Sequence, residues 1–188
     1  MKLTTMDLAL SSLFATLTAI GAIISIPMHP VPITLQTLFV YIAGAILGGK
    51  KAALSQLIYL AMRVSFLSTP LGAISGPQVL IGPTGGYLIG FIICAFVIGK
   101  MLEKSINYKR VIISFFIGTL IIYLLGITHL TVFIKLTLNT NLYDSIKIAF
   151  IKGLLPFLLG DTLKIFLATY IITRRRVLEL RKFTLKLD

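Results

Sequence analysis

The chain has 188 residues, of which 57% are hydrophobic, and its mean hydropathy of +0.99 excludes an ordinary water-soluble globular protein. A formal net charge of +12 would indicate a nucleic-acid-binding protein if the chain were soluble. In a chain this apolar, the positions of the basic residues relative to the hydrophobic segments are more informative than their number, and no nucleic-acid partner is predicted.

Six uninterrupted apolar segments predict membrane-spanning helices. Strands of a membrane barrel would alternate apolar and polar residues, and these segments do not, so an all-α bundle of six transmembrane helices is predicted. The second and third segments are short for a hydrocarbon core about 30 Å thick, and the third contains Arg63. No repeat or linker divides the chain, so residues 1–188 are predicted to form one transmembrane domain. The predicted spans are residues 8–26, 33–47, 52–67, 85–102, 111–127 and 154–173.

Basic residues are concentrated in the connections on one side of this predicted bundle. Assigning the connections alternately to two sides places 13 of the 18 lysines and arginines on one side. This positive-inside distribution predicts an even number of spans with both termini in the cytoplasm. The basic C-terminal tail is expected to face anionic lipid headgroups, with docking of a cytoplasmic partner as the alternative. The 13 residues are Lys2, Lys50, Lys51, Lys100, Lys104, Lys109, Arg110, Arg174, Arg175, Arg176, Arg181, Lys182 and Lys186.

Two of the three outer connections are rich in proline and glycine and carry almost no charge. The first comprises residues 27–32, and the second runs from Ser68, Thr69 and Pro70 through Gly72 to Gly86. Proline fixes backbone φ and glycine allows close backbone approach, so both connections are expected to form stiff caps. The third connection, residues 128–153, is longer and more polar, and a short interfacial helix is predicted at residues 131–138.

Asp161 and Lys164 lie deep in the sixth span, which is otherwise almost entirely apolar. An ionisable residue in a bilayer core is costly, so it normally faces the protein interior. The i, i+3 spacing places both side chains on one face of a helix. Asp161 precedes Arg174 by 13 residues, about 20 Å along a helix, which puts Asp161 in the outer half of the membrane and Lys164 near its middle. We therefore predict an outward-opening pocket for a small polar-headed molecule, with a purely structural ion pair as the alternative.

Small residues recur at helical spacing in three places. The G-x-x-x-G pairs Gly44/Gly48 and Gly86/Gly90 are predicted to mark close helix packing within the bundle. A third set lies at four-residue intervals on the first span. This face either packs internally or docks another membrane protein, and the pattern alone does not separate the two. Its members are Ser11, Ala15 and Ala19.

Catalytic and metal-binding residues are scarce. The chain has 6 acidic residues, and only Asp161 lies deep within a predicted span, so two-carboxylate or two-metal chemistry has no matching constellation. His29 and His129 lack companions at ligand spacing and are predicted to be interface residues. The single cysteine, Cys94, is expected to serve packing. No catalytic or metal site is predicted.

Three motifs follow one another along most of the chain. The first is PVPITLQTL at residues 30–38, followed by AG at 43–44 and LG at 47–48. The second is GP at 76–77 with GPTGGYLIGF at 82–91, and the third is GD at 160–161 with Lys164. Together they resemble the signatures of the BioY family, the biotin-binding S components of energy-coupling factor (ECF) transporters. The chain departs from the family pattern at residues 62–70.

The resemblance implies a six-helix, multi-pass protein of the bacterial inner membrane with a biotin pocket near the outer surface. Biotin would be the transported ligand, and no cofactor is implied. A transmembrane coupling subunit would dock on the small-residue face of the first span, and cytoplasmic ATPase subunits would drive transport.

Biotin offers two ureido N–H donors, a ureido carbonyl acceptor, an apolar thioether ring and a carboxylate. Asp161 is expected to accept from a ureido N–H, and Lys164 to donate to the carbonyl. The glutamines would add hydrogen bonds, and the aromatic residues would wall the ring. The predicted substrate-binding residues are Thr34, Gln36, Tyr41, Gln78, Tyr87, Phe91, Asp161 and Lys164.

Three alternatives stay open at this point. A related S component for another vitamin would keep the scaffold and change the pocket. A small membrane enzyme would use Asp161 or Lys164 as an acid or base. A self-sufficient facilitator would transport without any partner.

Overall fold

The computed structural model describes residues 4–65, 76–174, 177–179 and 181. Within these ranges the chain forms eight α-helices and one short antiparallel ribbon. The predicted cap at Ser68–Gly72, most of the atypical segment 62–70, and the tail residues Arg175, Arg176, Lys182 and Lys186 lie outside them. In chain order the elements are α1 (Thr5–Ile23), β1 (Ser25–Ile26), β2 (Ile33–Thr34), α2 (Gln36–Leu47), α3 (Gly49–Val64), α4 (Gln78–Ile81), α5 (Gly85–Leu102), α6 (Tyr108–Leu138), α7 (Leu142–Gly153) and α8 (Leu155–Ile172).

Local sequence explains where several helices begin and end. Thr4 and Asp7 form a reciprocal capping box at the start of α1. Gly48 adopts φ 78°, a backbone conformation that favours glycine, and so makes the sharp turn from α2 to α3. The Asn107 side chain caps the first turn of α6, and Asn139 ends that helix in the left-handed conformation.

The six predicted spans correspond closely to helices in the structure. Residues 85–102 coincide with α5, and the other predicted spans overlap α1, α2, α3, α6 and α8. Among the described residues, four segments are long and apolar enough to cross a membrane: α1, α5, α6 and the stretch Leu142–Ile172, which comprises α7 and α8. Helix α2 is apolar but shorter, as expected from the sequence. The fold is therefore a mostly helical bundle, and the count of six spans stays a prediction.

Residues 131–138 are helical and the helix ends at Leu138, as predicted, but the prediction of a polar connection over residues 128–153 was wrong. Instead of a polar connection with a separate helix at 131–138, α6 continues without a break to Leu138, and α7 follows after three residues. The segment contains no proline or glycine before Gly153 that would stop the helix. Its side chains Leu130, Thr131 and Ile134 are buried at helical spacing, so packing holds the extension in place. Residues 27–32, predicted as a stiff cap, form the turn of the β1–β2 ribbon.

Helix α5 is the central element of the bundle, because it packs against α2, α3 and α6. Close approach depends on small residues at the contacts, as predicted for the glycine pairs. A Cβ at Gly44 would lie 2.8 Å from the Ile98 side chain, and one at Gly90 would lie 3.0 Å from the Ile122 backbone. Cys94 is fully buried on α5, which confirms its packing role.

The small-residue face of α1 lies largely inside the bundle. Ser11 and Ala15 are both fully buried, and Ala19 is partly exposed. The Ser11 hydroxyl donates to the Lys51 carbonyl oxygen at 3.1 Å, and the Lys51 ammonium pairs with Asp7 at 2.7 Å. Lys51 was predicted to lie in a basic connection, and it is instead a buried residue of α3. The placement favours internal packing for Ser11 and Ala15, while docking through this face stays a prediction.

Arg181 was predicted to belong to a tail that faces lipid headgroups, and this was wrong for Arg181. Its side chain is buried, and it donates from Nε to the Ala45 carbonyl oxygen at 2.7 Å and from Nη2 to the Leu102 carbonyl oxygen. Both carbonyls belong to the last turns of their helices, where backbone acceptors lack intrahelical donors. A cation is also favoured there by the helix dipole. Burial lowers the pKa of this guanidinium, and the nearby Glu103 carboxylate opposes that shift.

Replacing Arg181 by methionine should destabilise the bundle. The change keeps an aliphatic side chain but leaves two helix-terminal carbonyls without their donor, at a cost of about 1–3 kcal/mol. We expect a lower midpoint of thermal unfolding for the detergent-solubilised protein. The control is Lys109→Met, which removes the same charge from an exposed position. Equal midpoints for the two variants would contradict the capping role of Arg181.

Candidate binding site

A cavity lies at the end of the bundle where the β1–β2 ribbon, α2, α5, α6 and α8 converge. About 480 Å³ of empty space lies within it and its mouth, part of which is open to solvent. We call this the cavity end of the bundle, and the end that holds Arg181 the basic end. The cavity is lined by Val31, Pro32, Thr34, Gln36, Thr37, Thr84, Tyr87, Leu88, Phe91, Ile122, Tyr123, Phe157, Asp161 and Lys164.

The ribbon fixes the start of α2 beside the cavity. Ser25 pairs with Thr34, and the Leu35 N–H donates to the carbonyl oxygens of Gly21 and Ile24. These bonds connect the end of α1 to the residue that precedes α2. The ribbon turn thereby contributes Val31 and Pro32 to the cavity wall, and α2 contributes its first two residues.

Asp161 and Lys164 form a buried ion pair on α8, with Nζ 2.8 Å from Oδ1. The side chains are only 4% and 9% exposed, respectively. The i, i+3 spacing therefore brings the two charges together on one face, as predicted. An ion pair in an apolar interior is stable only if its remaining donors and acceptors are also satisfied, so the surrounding groups matter as much as the pair itself.

The Lys164 ammonium is fully hydrogen-bonded. It donates to Asp161 Oδ1, to the Thr34 carbonyl oxygen at 2.6 Å and to Thr37 Oγ1 at 3.0 Å, which uses all three of its N–H groups. Two of these acceptors belong to the ribbon and to α2, so Lys164 also holds α8 against those elements.

Tyr123 and Thr37 complete the network around Asp161, and the sequence analysis did not single out either residue. The Tyr123 hydroxyl donates to Asp161 Oδ2 at 2.7 Å, and the Thr37 hydroxyl donates to Oδ1 at 2.9 Å. With Lys164 this gives the carboxylate three donors, leaving room for about one more. Thr37 lies within the first sequence motif and could have been found there, whereas Tyr123 lies in an apolar span with no comparable signal.

Gln36 and Thr34 form a second polar group at the cavity. The Thr34 hydroxyl donates to Gln36 Oε1 at 2.8 Å, and the Gln36 amide nitrogen donates to the Tyr59 hydroxyl. This contact orients the amide and uses one of its two N–H groups. The structure therefore brings Gln36 and Thr34, two of the predicted residues, to the same cavity as the ion pair.

Three aromatic side chains form part of the apolar wall. Tyr87 and Phe91 line the cavity, as does Phe157, whose ring centroid lies 6.3 Å from that of Tyr87. The Tyr87 hydroxyl donates to the Gly153 carbonyl oxygen at 2.9 Å, which satisfies its polar end and fixes the ring. The cavity thus combines an apolar wall with a neutral polar floor.

Two predicted residues are not in the cavity lining. Tyr41 is fully buried beneath it, where its ring stacks on Phe115 and its hydroxyl bonds with Thr119 at 2.7 Å. Gln78 is exposed at the start of α4. The position of Tyr41 is that of a supporting residue, and the position of Gln78 gives no support to a direct role.

Comparisons with known proteins agree in one family. The BioY family model matches residues 1–180. The "Biotin transporter BioY" of Thermotoga maritima is 38% identical over 172 residues, which cover 92% of this chain and 96% of that protein. The "Probable biotin transporter BioY" of Pyrococcus horikoshii is 37% identical over 168 residues, covering 89% and 94% of the two chains. The solved structure of the S-component for biotin from an ECF-type ABC transporter matches with a TM-score of 0.73 and 25% identity, covering 97% of this chain and 94% of the other.

Removing both members of the buried ion pair should cost less than the sum of the costs of removing each one alone. Lys164→Met leaves a buried carboxylate without its cation, and Asp161→Asn leaves a buried ammonium without its anion, each costing about 3 kcal/mol. The double variant leaves no unpaired charge at this site, so we expect its loss of unfolding free energy to fall short of the sum by at least about 1 kcal/mol. Reversible unfolding of the ligand-free protein in mixed micelles would measure these values.

The exposed pair Lys100–Glu103 is the matched control, because it has the same i, i+3 spacing and an N···O distance of 3.0 Å. Its two residues are 45% and 39% exposed. A coupling energy within about 0.5 kcal/mol is expected for Lys100→Met with Glu103→Gln. Additive losses at Asp161 and Lys164 would show that the two residues do not act as a pair.

Proposed function

Since the chain belongs to the BioY family, we propose that it is the biotin-binding membrane subunit of a vitamin uptake transporter. The observation that carries the proposal is the cavity floored by the buried Asp161–Lys164 pair and its satisfied network. The relatives named as biotin transporters cover nearly the full length of the chain, which supports assigning the same ligand here. The subunit would capture biotin from outside the cell and release it inward without changing it chemically.

The polar floor matches the ureido group of biotin in charge and in hydrogen-bonding capacity. Asp161 and Lys164 neutralise each other, so the floor favours a neutral group over an ion. The remaining acceptor capacity of Asp161 would receive a ureido N–H, and the second amide N–H of Gln36 would reach the ureido carbonyl. Lys164 would donate to that carbonyl only by giving up one of its present acceptors, Thr34 or Thr37.

The apolar wall matches the rest of the ligand. The rings of Tyr87, Phe91 and Phe157 present a surface suited to the thioether ring and its alkyl chain. Leaving a polar group unpaired in such a site costs binding free energy. An analogue without the ureido group would therefore bind weakly because of the polar floor, even if it fits the apolar wall. Thr34, Gln36, Tyr87, Phe91, Asp161 and Lys164 are thus our proposed ligand contacts, with Tyr41 in support.

We propose that the cavity end faces outward in a bacterial inner membrane. The described basic residues Lys50, Lys100 and Lys109 lie in or beside the connections at the opposite end, in accord with the positive-inside rule. Both termini would then be cytoplasmic, and the chain would cross the bilayer six times, with α8 making the last crossing.

Uptake against a gradient requires an energy source that this chain does not carry in any sequence motif. We propose that a transmembrane coupling subunit and cytoplasmic ATPases supply it. The coupling subunit would contact α1, where the partly exposed Ala19 lies beside the exposed Thr16 and Ile20. Ser11 and Ala15 would support this surface from within the bundle.

Equilibrium binding of labelled biotin to the detergent-solubilised protein tests the ligand and the site together. Asp161→Asn and Lys164→Ala should each weaken binding at least tenfold, about 1.4 kcal/mol, because each disrupts the polar floor. Gln36→Ala should also weaken binding, whereas Gln78→Ala, the same substitution at an exposed position outside the lining, should not. Lipoate, which has a carboxylated chain and a sulfur ring but no ureido group, should not compete.

A well-folded wild type that fails to bind biotin would refute the proposed ligand. Wild-type binding that is unchanged in both Asp161→Asn and Lys164→Ala would instead refute the site and leave the ion pair with a structural role.

Reconstitution into liposomes tests the need for partners. The chain alone should bind biotin but show no ATP-dependent accumulation, because binding energy by itself cannot concentrate a solute. Addition of a coupling subunit with its ATPases should produce accumulation that stops when ATP is withheld. Rapid biotin equilibration by the chain alone, blocked by Lys164→Ala, would instead identify a self-sufficient facilitator.

A further inference from the structure

His129 is a polar side chain near the cavity end of α6 that the proposed binding site does not use. Its Nε2 atom lies 3.0 Å from the carbonyl oxygen of Gly82. A carbonyl oxygen only accepts hydrogen bonds, so Nε2 carries the hydrogen and donates. The contact joins distant parts of the chain, because Gly82 ends α4 and begins the turn into α5.

The turn from Gly82 to Thr84 is otherwise held by local backbone bonds. The Gly82 carbonyl oxygen also accepts from the Gly85 N–H at 3.1 Å, and the Gly82 N–H donates to the Gln78 carbonyl oxygen at 2.9 Å. The Thr84 carbonyl oxygen accepts from the Tyr87 N–H at 3.1 Å and so starts α5. His129 therefore adds a side-chain contact from a different helix to a turn made of short-range bonds.

Gly85 and Gly86 leave the space that the imidazole ring of His129 occupies. A Cβ at Gly86 would lie 2.4 Å from the Cβ of His129, and a Cβ at Gly85 would lie 3.1 Å from its Nε2. The first distance is impossible for real atoms, so α6 reaches this turn of α5 only because the glycines lack side chains. The fit between His129 and the turn is thus built into the α5–α6 packing.

The same turn forms part of the cavity wall. Thr84 and Tyr87 line the cavity, and Thr84 is partly exposed, so it lies where the cavity meets the protein surface. The Tyr87 hydroxyl is anchored on the far side by Gly153. The first turn of α5 is therefore fixed at one end by His129 and at the other by Tyr87.

We infer that His129 is a positioning residue for ligand retention. Its hydrogen bond to Gly82 holds Thr84 against the cavity and thereby slows the departure of a bound ligand. Without the bond, the turn would open more often, because the other hydrogen bonds of residues 82–84 within the described part of the chain are local backbone bonds. The inference rests on the proposed function, since biotin is the ligand used in its test.

The dissociation rate of labelled biotin, chased with excess unlabelled biotin, tests this role in the detergent-solubilised protein. His129→Leu should raise the rate about fivefold, equivalent to about 1 kcal/mol and typical of one lost hydrogen bond. His129→Gln should restore much of the wild-type rate, because the glutamine amide can donate to Gly82. Thr128→Leu is the control, since the Thr128 hydroxyl is exposed and bonds only within its own helix, to the Leu124 carbonyl oxygen.

Hydrogen exchange of the ligand-free protein gives a readout that does not depend on biotin. The Gly85 N–H shares the Gly82 acceptor with His129, so peptides covering residues 78–91 should exchange faster in His129→Leu than in Thr128→Leu. The same peptides in His129→Gln should resemble the wild type.

The outcomes separate this inference from the proposed function. Failure of the wild type to bind biotin would remove the proposed ligand, and exchange at residues 78–91 would still report on the contact. Tight wild-type binding with equal dissociation rates in His129→Leu and Thr128→Leu would overturn the retention role. A fast rate in both His129→Leu and His129→Gln would overturn the hydrogen bond as its cause.

Discussion

The rest of the structure depends on keeping one ion pair out of water at the cavity end of the bundle. Asp161 and Lys164 cancel each other's charge, but together they still present several hydrogen-bonding positions that an apolar interior would penalise. The partners that satisfy them come from different elements: the Thr34 carbonyl from the ribbon, Thr37 from α2 and Tyr123 from α6. Satisfying the pair therefore requires these elements to converge, and their convergence creates the floor of the cavity.

Helix α2 links this floor to the basic end. Its first turn supplies Thr37 to the ion pair, and its last turn supplies the Ala45 carbonyl oxygen to Arg181. Both ends of one 12-residue helix are thus held by buried cations from the C-terminal part of the chain. Helix α5, which lies beside α2 and carries Tyr87 and Phe91, is fixed by the same arginine through Leu102. The geometry of the cavity is consequently tied to contacts at the far end of the bundle.

Features with a strong signal in the sequence could be predicted, and features with a weak signal could not. Charges in an apolar segment are conspicuous, so the sequence points to Asp161 and Lys164. A hydroxyl is not conspicuous, because Thr162 and Thr169 lie in the same segment and their hydroxyls donate only within α8. The extension of α6 was missed because a fall in hydropathy marks neither the end of a helix nor the loss of buried contacts. Arg181 was misplaced because composition cannot show that a basic side chain meets two helix ends.

The three N–H groups of Lys164 are all hydrogen-bonded without ligand, and in the proposed site this affects both selectivity and release. A ligand at the proposed site would exchange hydrogen bonds at Lys164 and add them only at Asp161 and Gln36, so we expect much of its affinity to come from the apolar wall. When the ligand leaves, Lys164 can return to Thr34 and Thr37, and no buried charge is left exposed to an apolar cavity. A transport subunit must empty as well as fill, and an empty site that satisfies itself lowers the free-energy cost of release.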